Sequence, residues 1–153
     1  RRNNGSNSVQ IGSIVMNGTS GVTYSTSSDY RLKENVVELT NALDRVDQLK
    51  PSRFNFISDE GRTIDGFLAH EVSSVVPEAI SGEKDVVQVW KEGEELPEGV
   101  SVGDNKLDEN GKTIPIYQGI DQSKLVPVLT KALQEAITKI EQLEARINTL
   151  EGN

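Results

Sequence analysis

The C-terminal stretch constrains this chain more than any other part of it. Val126, Leu129, Leu133, Ala136, Ile140, Leu143, Ile147 and Leu150 recur at spacings of three and four residues, which places them in one stripe on an α-helix. The pattern predicts a helix of about seven turns from Ser123 onward. Pro127 fits because it falls in the first turn, where a missing N–H leaves no intrahelical bond unmade. With Ile140 and Ile147 at heptad position a and Leu143 and Leu150 at d, Lys139 and Arg146 take g while Glu144 and Glu151 take e. In a parallel coiled coil each g residue meets the e residue of the neighbour's next heptad, and both pairs here are opposite in sign. The register therefore predicts parallel self-association. The number of strands stays open: Ile at a with Leu at d favours two, while Ile137 at e widens the stripe as a third helix requires. A long helix packed on its own domain is the competing arrangement, since the pattern covers only about four heptads.

The remainder offers little to bury. Of 153 residues, 35% are hydrophobic and 5% aromatic, so a single copy has a modest core and is expected to bury part of its surface on partner chains. The absence of cysteine excludes disulfides, zinc–thiolate sites and cysteine nucleophiles. A lone His70 cannot build a histidine-rich metal site, and no cofactor is implied. A net charge of −8 without any run of Lys or Arg argues against a nucleic-acid partner. No apolar run approaches the roughly 18 to 20 residues needed to cross a bilayer, and the N-terminal RRNNGSNSVQ lacks the apolar core of a signal peptide.

Four segments follow from pattern. Residues 1–27 are rich in Gly, Ser, Thr and Asn, with short β-branched pieces around Val9 and Ile11, Ile14 to Met16, and Val22 and Tyr24, punctuated by Gly12, Gly18 and Gly21; these read as short strands and turns, the end of something longer. Residues 28–80 read as a small α+β unit. Its helix carries Leu39, Leu43, Val46 and Leu49, is capped by Thr40 or Asn41 and is stopped by Pro51. A strand with Phe54 and Phe56 follows, then a turn at Asp59-Glu60-Gly61, a partner strand from Ile64 to Ala69, and a short helix from His70 to Val76 before Pro77. In residues 81–120, strands at Val86–Trp90 and Ile114–Tyr117 flank an acidic, Gly-rich excursion read as a surface loop or hairpin. Residues 121–153 are the helix. The fold class expected is α+β: a small mixed globular part, a β-rich N-terminal segment and a long self-associating helix.

The segment Ser28-Asp29-Tyr30-Arg31-Leu32-Lys33-Glu34-Asn35 carries the chemistry. It is similar to the S-D-x-R-x-K-x-N signature that opens domains of the peptidase S74, or endosialidase-chaperone, family. Further similar blocks follow in order: ALDRVDQLKPSRFNF (42–56), GFLAHEV with a downstream Pro-Glu-Ala (66–79) and GIDQSKLVPVLTKALQE (119–135). Residues 91–113 have no counterpart and read as a variable insertion.

The resemblance implies a C-terminal intramolecular chaperone of a bacteriophage tail fibre or tailspike. It implies a homotrimer that folds the upstream fibre domain of the same chain, residues 1–27 being the end of that fibre and residues 28–153 the chaperone. Autoproteolysis between Ser27 and Ser28 then releases the chaperone, with Ser28 as nucleophile, Lys33 as general base, and Asp29, Arg31 and Asn35 as possible supporting residues. Assembly would take place in the host cytoplasm, and the mature fibre would reside in the virion tail. The chemistry is sound in itself: a lysine, with a pKa of about 10.4 in water, activates a hydroxyl only where desolvation or a nearby positive charge such as Arg31 lowers it. Five residues apart, Ser28 and Lys33 lie roughly 140° apart on a helix and on opposite faces of a strand; they meet only across a tight turn or between subunits. The alternative base, His70, reads better as part of a strand-to-helix packing element, and Trp90 as core or interface. A rival function is a permanent, non-catalytic trimeric cap or receptor-binding fibre tip. Another is the related self-cleaving module of eukaryotic membrane-bound transcription factors, whose transmembrane and DNA-binding regions have no match here.

Overall fold

The computed structural model describes residues 2–4, 7–9, 12–17 and 21–152. It forms two compact units, Arg1–Glu38 and Leu39–Asn153, and the architecture is mixed α/β, with two-stranded antiparallel sheets and one long C-terminal helix. In the first unit β1 (Arg2–Asn4) pairs with β2 (Asn7–Val9), and β3 (Gly12–Asn17) with β4 (Gly21–Thr26). Ile14 stands opposite Tyr24 across the second pair. Val22, two residues from Tyr24, shares its face, and all three side chains are exposed. Ile11 and Gly18, read as strand and turn residues, lie outside the described residues.

The second unit is built around α1 (Ala42–Asp47) and α3 (Leu125–Leu150). Leu125, Val128 and Ala132, at i, i+3 and i+7, share one face of α3. They are buried against Ala42 of α1 and against Val72, Val75, Val76 and Ala79. Leu39, Leu43, Val46 and Leu49 pack around this cluster, but the helix expected to carry all four spans only Ala42–Asp47, so Leu39 precedes it and Leu49 follows it. Arg45 donates to the Val75 carbonyl oxygen at 2.9 Å and tethers α1 to the Val72–Ala79 segment. That segment begins on the last residue of α2 (Ala69–Val72) and ends in a 3₁₀ turn, Pro77–Ala79, so the helix expected from His70 to Val76 stops four residues early. Asn41 does not cap α1 with its side chain; its backbone is left-handed, with φ 56°. The Glu135 carboxylate caps the helix instead, accepting from the Leu43 N–H at 2.8 Å and the Ala42 N–H at 3.3 Å.

The hairpin of β5 (Ser52–Phe56) and β6 (Asp59–Gly66) turns at Ile57-Ser58, earlier than the glycine suggests. The register shifts between Asn55 and Phe56, and this irregularity absorbs Glu60 and Gly61 into the strand. A two-residue pair, β7 (Ile80–Ser81) with β8 (Gly119–Ile120), closes the base of residues 82–118. That excursion is not a plain hairpin. The Gln88 N–H donates to the Ile114 carbonyl oxygen at 2.8 Å, the Ile114 N–H to Lys106 at 3.0 Å, and the Lys106 N–H to Gln88 at 2.8 Å. Three segments thus close a ring of bonds. Half-buried Trp90 lies in this ring rather than in the main core, with Lys106 Nζ 4.5 Å from its ring centroid.

α3 begins two residues after Ser123, behind a 3₁₀ turn Gln122–Lys124 whose start is held by the Asp121 side chain. Its first half has two apolar faces. Beside the buried set, about 100° round the helix, Val126, Leu129 and Leu133 are exposed, and their stripe continues through Ile137, Ile140, Leu143, Ile147 and Leu150, each 46–78% exposed from Ile137 onward. Among the described residues no helix is long and apolar enough to cross a membrane.

Candidate active site

The Ser27–Ser28 bond lies just beyond β4, in exposed chain. Immediately after it the backbone makes one 3₁₀ turn, Tyr30–Leu32, in which the Leu32 N–H donates to the Asp29 carbonyl oxygen and the Lys33 N–H to Tyr30, both at 3.1 Å. Asp29 starts this turn because its short carboxylate reaches the backbone two residues on: Oδ1 accepts from the Arg31 N–H at 2.9 Å. The Arg31 guanidinium then folds back, Nε on Oδ1 at 2.9 Å and Nη2 on Oδ2 at 2.7 Å. This fork holds the Asp29 carboxyl below the usual carboxylate range, the Arg31 side chain contributing most and its N–H next. The pair is exposed, so its worth lies in shaping the loop more than in stability.

At the far side of the turn Lys33 is extended and brings its ammonium back: Nζ donates to Ser28 Oγ at 2.8 Å. The two residues meet across a tight turn within one chain. Both are exposed. Arg31, considered as a positive neighbour for Lys33, directs its charge to Asp29. Asn35 follows in a left-handed conformation, φ 54°, a region that Asn enters far more readily than most side chains; its place in the motif has a backbone reason.

His70 belongs to the other unit. It projects from α2, is exposed rather than packed, and lines an open groove of about 580 Å³ with residues 83–87 and 115–118. Of the proposed seam, Leu133, Ile140, Leu143, Ile147 and Leu150 are exposed and Ala136 is half-buried. Sequence reasoning missed Glu135. Its only signal was position: it follows Leu125, Val128 and Ala132 on the same face at the next three-residue step.

The contact brings together a serine hydroxyl and a lysine amine, the two groups that a Ser–Lys nucleophile needs. Residues 28–81 match the model of Peptidase_S74, the chaperone of endosialidase. The match begins on Ser28 and ends before the three-segment ring and α3. A comparison with curated proteins finds no match for the chain.

Proposed function

We propose that this chain is the self-releasing intramolecular chaperone of a bacteriophage tail fibre or tailspike. It trimerises through α3, aligns the upstream fibre strands and cuts itself between Ser27 and Ser28. The observation that carries this reading is the 2.8 Å contact between Lys33 Nζ and Ser28 Oγ, at the residue where the family match starts.

The connectivity dictates the chemistry. Ser28 Oγ attacks the Ser27 carbonyl carbon through a five-membered ring while Lys33, as the free amine, takes the hydroxyl proton. The tetrahedral intermediate collapses by breaking the Ser27–Ser28 C–N bond, and the departing amine of Ser28 receives that proton from Lys33. The resulting ester between the Ser27 acyl group and Ser28 Oγ is hydrolysed by one water. The products are a Ser27 carboxylate and a fragment that begins with Ser28 and has its hydroxyl restored. Lys33 serves as a base only where its ammonium is destabilised, and in the single chain the pair is exposed to water. Cover supplied by assembled neighbours makes the reaction conditional on assembly.

Exposed Ile14, Val22 and Tyr24 on the N-terminal hairpin support its role as the end of a fibre that is completed by other chains. Bringing those chains together raises their effective concentration for slow, non-local strand pairing, and cutting afterwards makes the fibre's stability kinetic. Folding would take place in the host cytoplasm, with the fibre retained in the virion tail. Intact mass and N-terminal sequencing test the proposal: the expected C-terminal fragment begins at Ser28 and is lost in Ser28→Ala. An assembly that stays uncut identifies a permanent cap instead.

A further inference from the structure

We propose that Glu135 is the positioning residue that couples assembly through α3 to the Ser28–Lys33 pair, an inference that rests on the self-cleavage reading above. α1 is six residues long and has no cap of its own, since Asn41 is left-handed and makes no side-chain bond. Its first amides are partly shielded from water: Ala42 is fully buried and Leu43 half-buried. Left without Glu135, which accepts from both, they would carry part of the cost of unpaired donors. A carboxylate suits the site, because it meets two N–H groups at the positive end of a helix and charge-assisted bonds are the stronger kind. Those amides, the one from Leu43 most, hold the Glu135 carboxyl below the usual range.

Glu135 serves no purpose in the coiled-coil seam. It falls at heptad position c, away from a and d, between buried Ala132 and the exposed stripe that continues from Ile137. It therefore stands at the junction between the half of α3 that packs on the core and the half left for other chains.

The clamp also sits at the C-terminal end of the connector that leads from the Ser28–Lys33 turn. From Lys33 the chain runs through residues 34–40 to Asn41, the residue before the clamped amides. The boundary between the two compact units falls inside this connector. Asn35 and Asn41, both at positive φ, bend it at either end. Arg45 fixes the other side of α1 to Val75, so α1 is a rigid point to which the connector is tied, and Glu135 ties that point to α3. When association fixes α3, the C-terminal end of the connector is fixed with it.

The test uses the whole chain. Glu135→Ala should assemble to the parental mass yet cleave at least about tenfold more slowly, the scale of losing a bond to a charged group. Glu135→Gln, which keeps one acceptor oxygen, should fall between. In an uncut Ser28→Ala background, amide exchange at Ala42 and Leu43 should accelerate on Glu135→Ala while exchange in the exposed half of α3 stays unchanged. Parental cleavage by assembled Glu135→Ala overturns the coupling, and so does a slow rate that recovers fully when protein concentration is raised. If Glu135→Ala does not fold, parental cleavage by Glu135→Gln together with faster amide exchange refutes it. Cutting that survives Ser28→Ala sinks the self-cleavage reading and the coupling with it, while exchange at Ala42 and Leu43 still reports whether the clamp exists.

Discussion

Between Ser28 and Asn35 the side chains share the work of making one turn. Asp29 and Arg31 close it, Lys33 spans it, and Asn35 turns the chain out of it through the left-handed region. Asn35→Gly should therefore retain cleavage, whereas Asn35→Val should slow it, because a β-branched residue at positive φ costs about 1–2 kcal/mol; rate measurements on both variants decide whether Asn35 acts through its backbone or its amide. Lys33→Arg keeps the charge, but a guanidinium with a pKa above about 12 cannot give up its proton readily, so it should be as inactive as Lys33→Ala. Cleavage by Lys33→Arg at the parental rate would make Lys33 an electrostatic residue. The Asp29 fork has a definite pH dependence. Its carboxyl is depressed in the folded turn, so the contribution is complete above the unfolded value of about 3.9 and is lost as pH falls through the lower folded one. An NMR titration of uncut Ser28→Ala should show the Arg31 amide signal shifting with a midpoint below the free carboxylate value of about 3.9; a midpoint at that free value would mean that the fork is not formed. The motif residues were legible in the sequence as a set. The turn that unites Ser28 with Lys33 was legible only as one of two ways they could meet, because spacing excludes a regular helix or strand but does not choose between a turn and a second subunit.

α3 shows how much one helical pattern can hide. The stripe from Val126 to Leu150 was legible because a three-four spacing is visible wherever it persists. The buried set of Leu125, Val128 and Ala132 runs beside it for only two turns, and in sequence it merges with the longer stripe. Separating them requires knowing where α1 lies. The hairpin turn was misplaced for a related reason: Gly61 signals a turn, but the register shift at Asn55 and Phe56 lets Asp59 pair and moves the bend to Ile57-Ser58. The two faces of α3 predict a double dissociation. Leu125→Ala, in the core, should lower folding stability by about 3 kcal/mol and leave the self-association of folded protein unchanged. Ile140→Asp, on the exposed stripe, should reduce self-association and leave the fold of residues 39–136 intact by circular dichroism. If Ile140→Asp unfolds the globular part, the exposed half of α3 is a structural support rather than an assembly surface. Gly66 gives a smaller test: a Cβ there would meet the Phe54 ring at 3.2 Å, so Gly66→Ala should displace the ring and cost about 1 kcal/mol by thermal melting.

At the scale of the whole molecule, two properties of the single chain point to the same need. The apolar stripe of α3 has no cover among the described residues, and the Ser28–Lys33 pair has its partners in place but stands exposed. Association would cover the first and desolvate the second. Replacing both Ile140 and Ile147 with Asp puts unpaired charges into the seam, at a cost of several kcal/mol per buried group. That variant should be monomeric by light scattering and should keep its Ser27–Ser28 bond with both reactive side chains present, whereas the parent should have the mass of three chains. A monomer that cuts at the parental rate would remove assembly from the mechanism. Because Lys33 reaches Ser28 of its own chain, co-folding uncut Ser28→Ala chains with Lys33→Ala chains should produce mixed trimers and no cleaved product. The Ser28→Ala chain lacks the nucleophile that must attack its own preceding carbonyl, and the Lys33→Ala chain lacks the base on its own turn. Product from mixed trimers alone would show that one subunit's Lys33 serves another subunit's Ser28, and the contact within one chain would then be a resting arrangement that assembly exchanges.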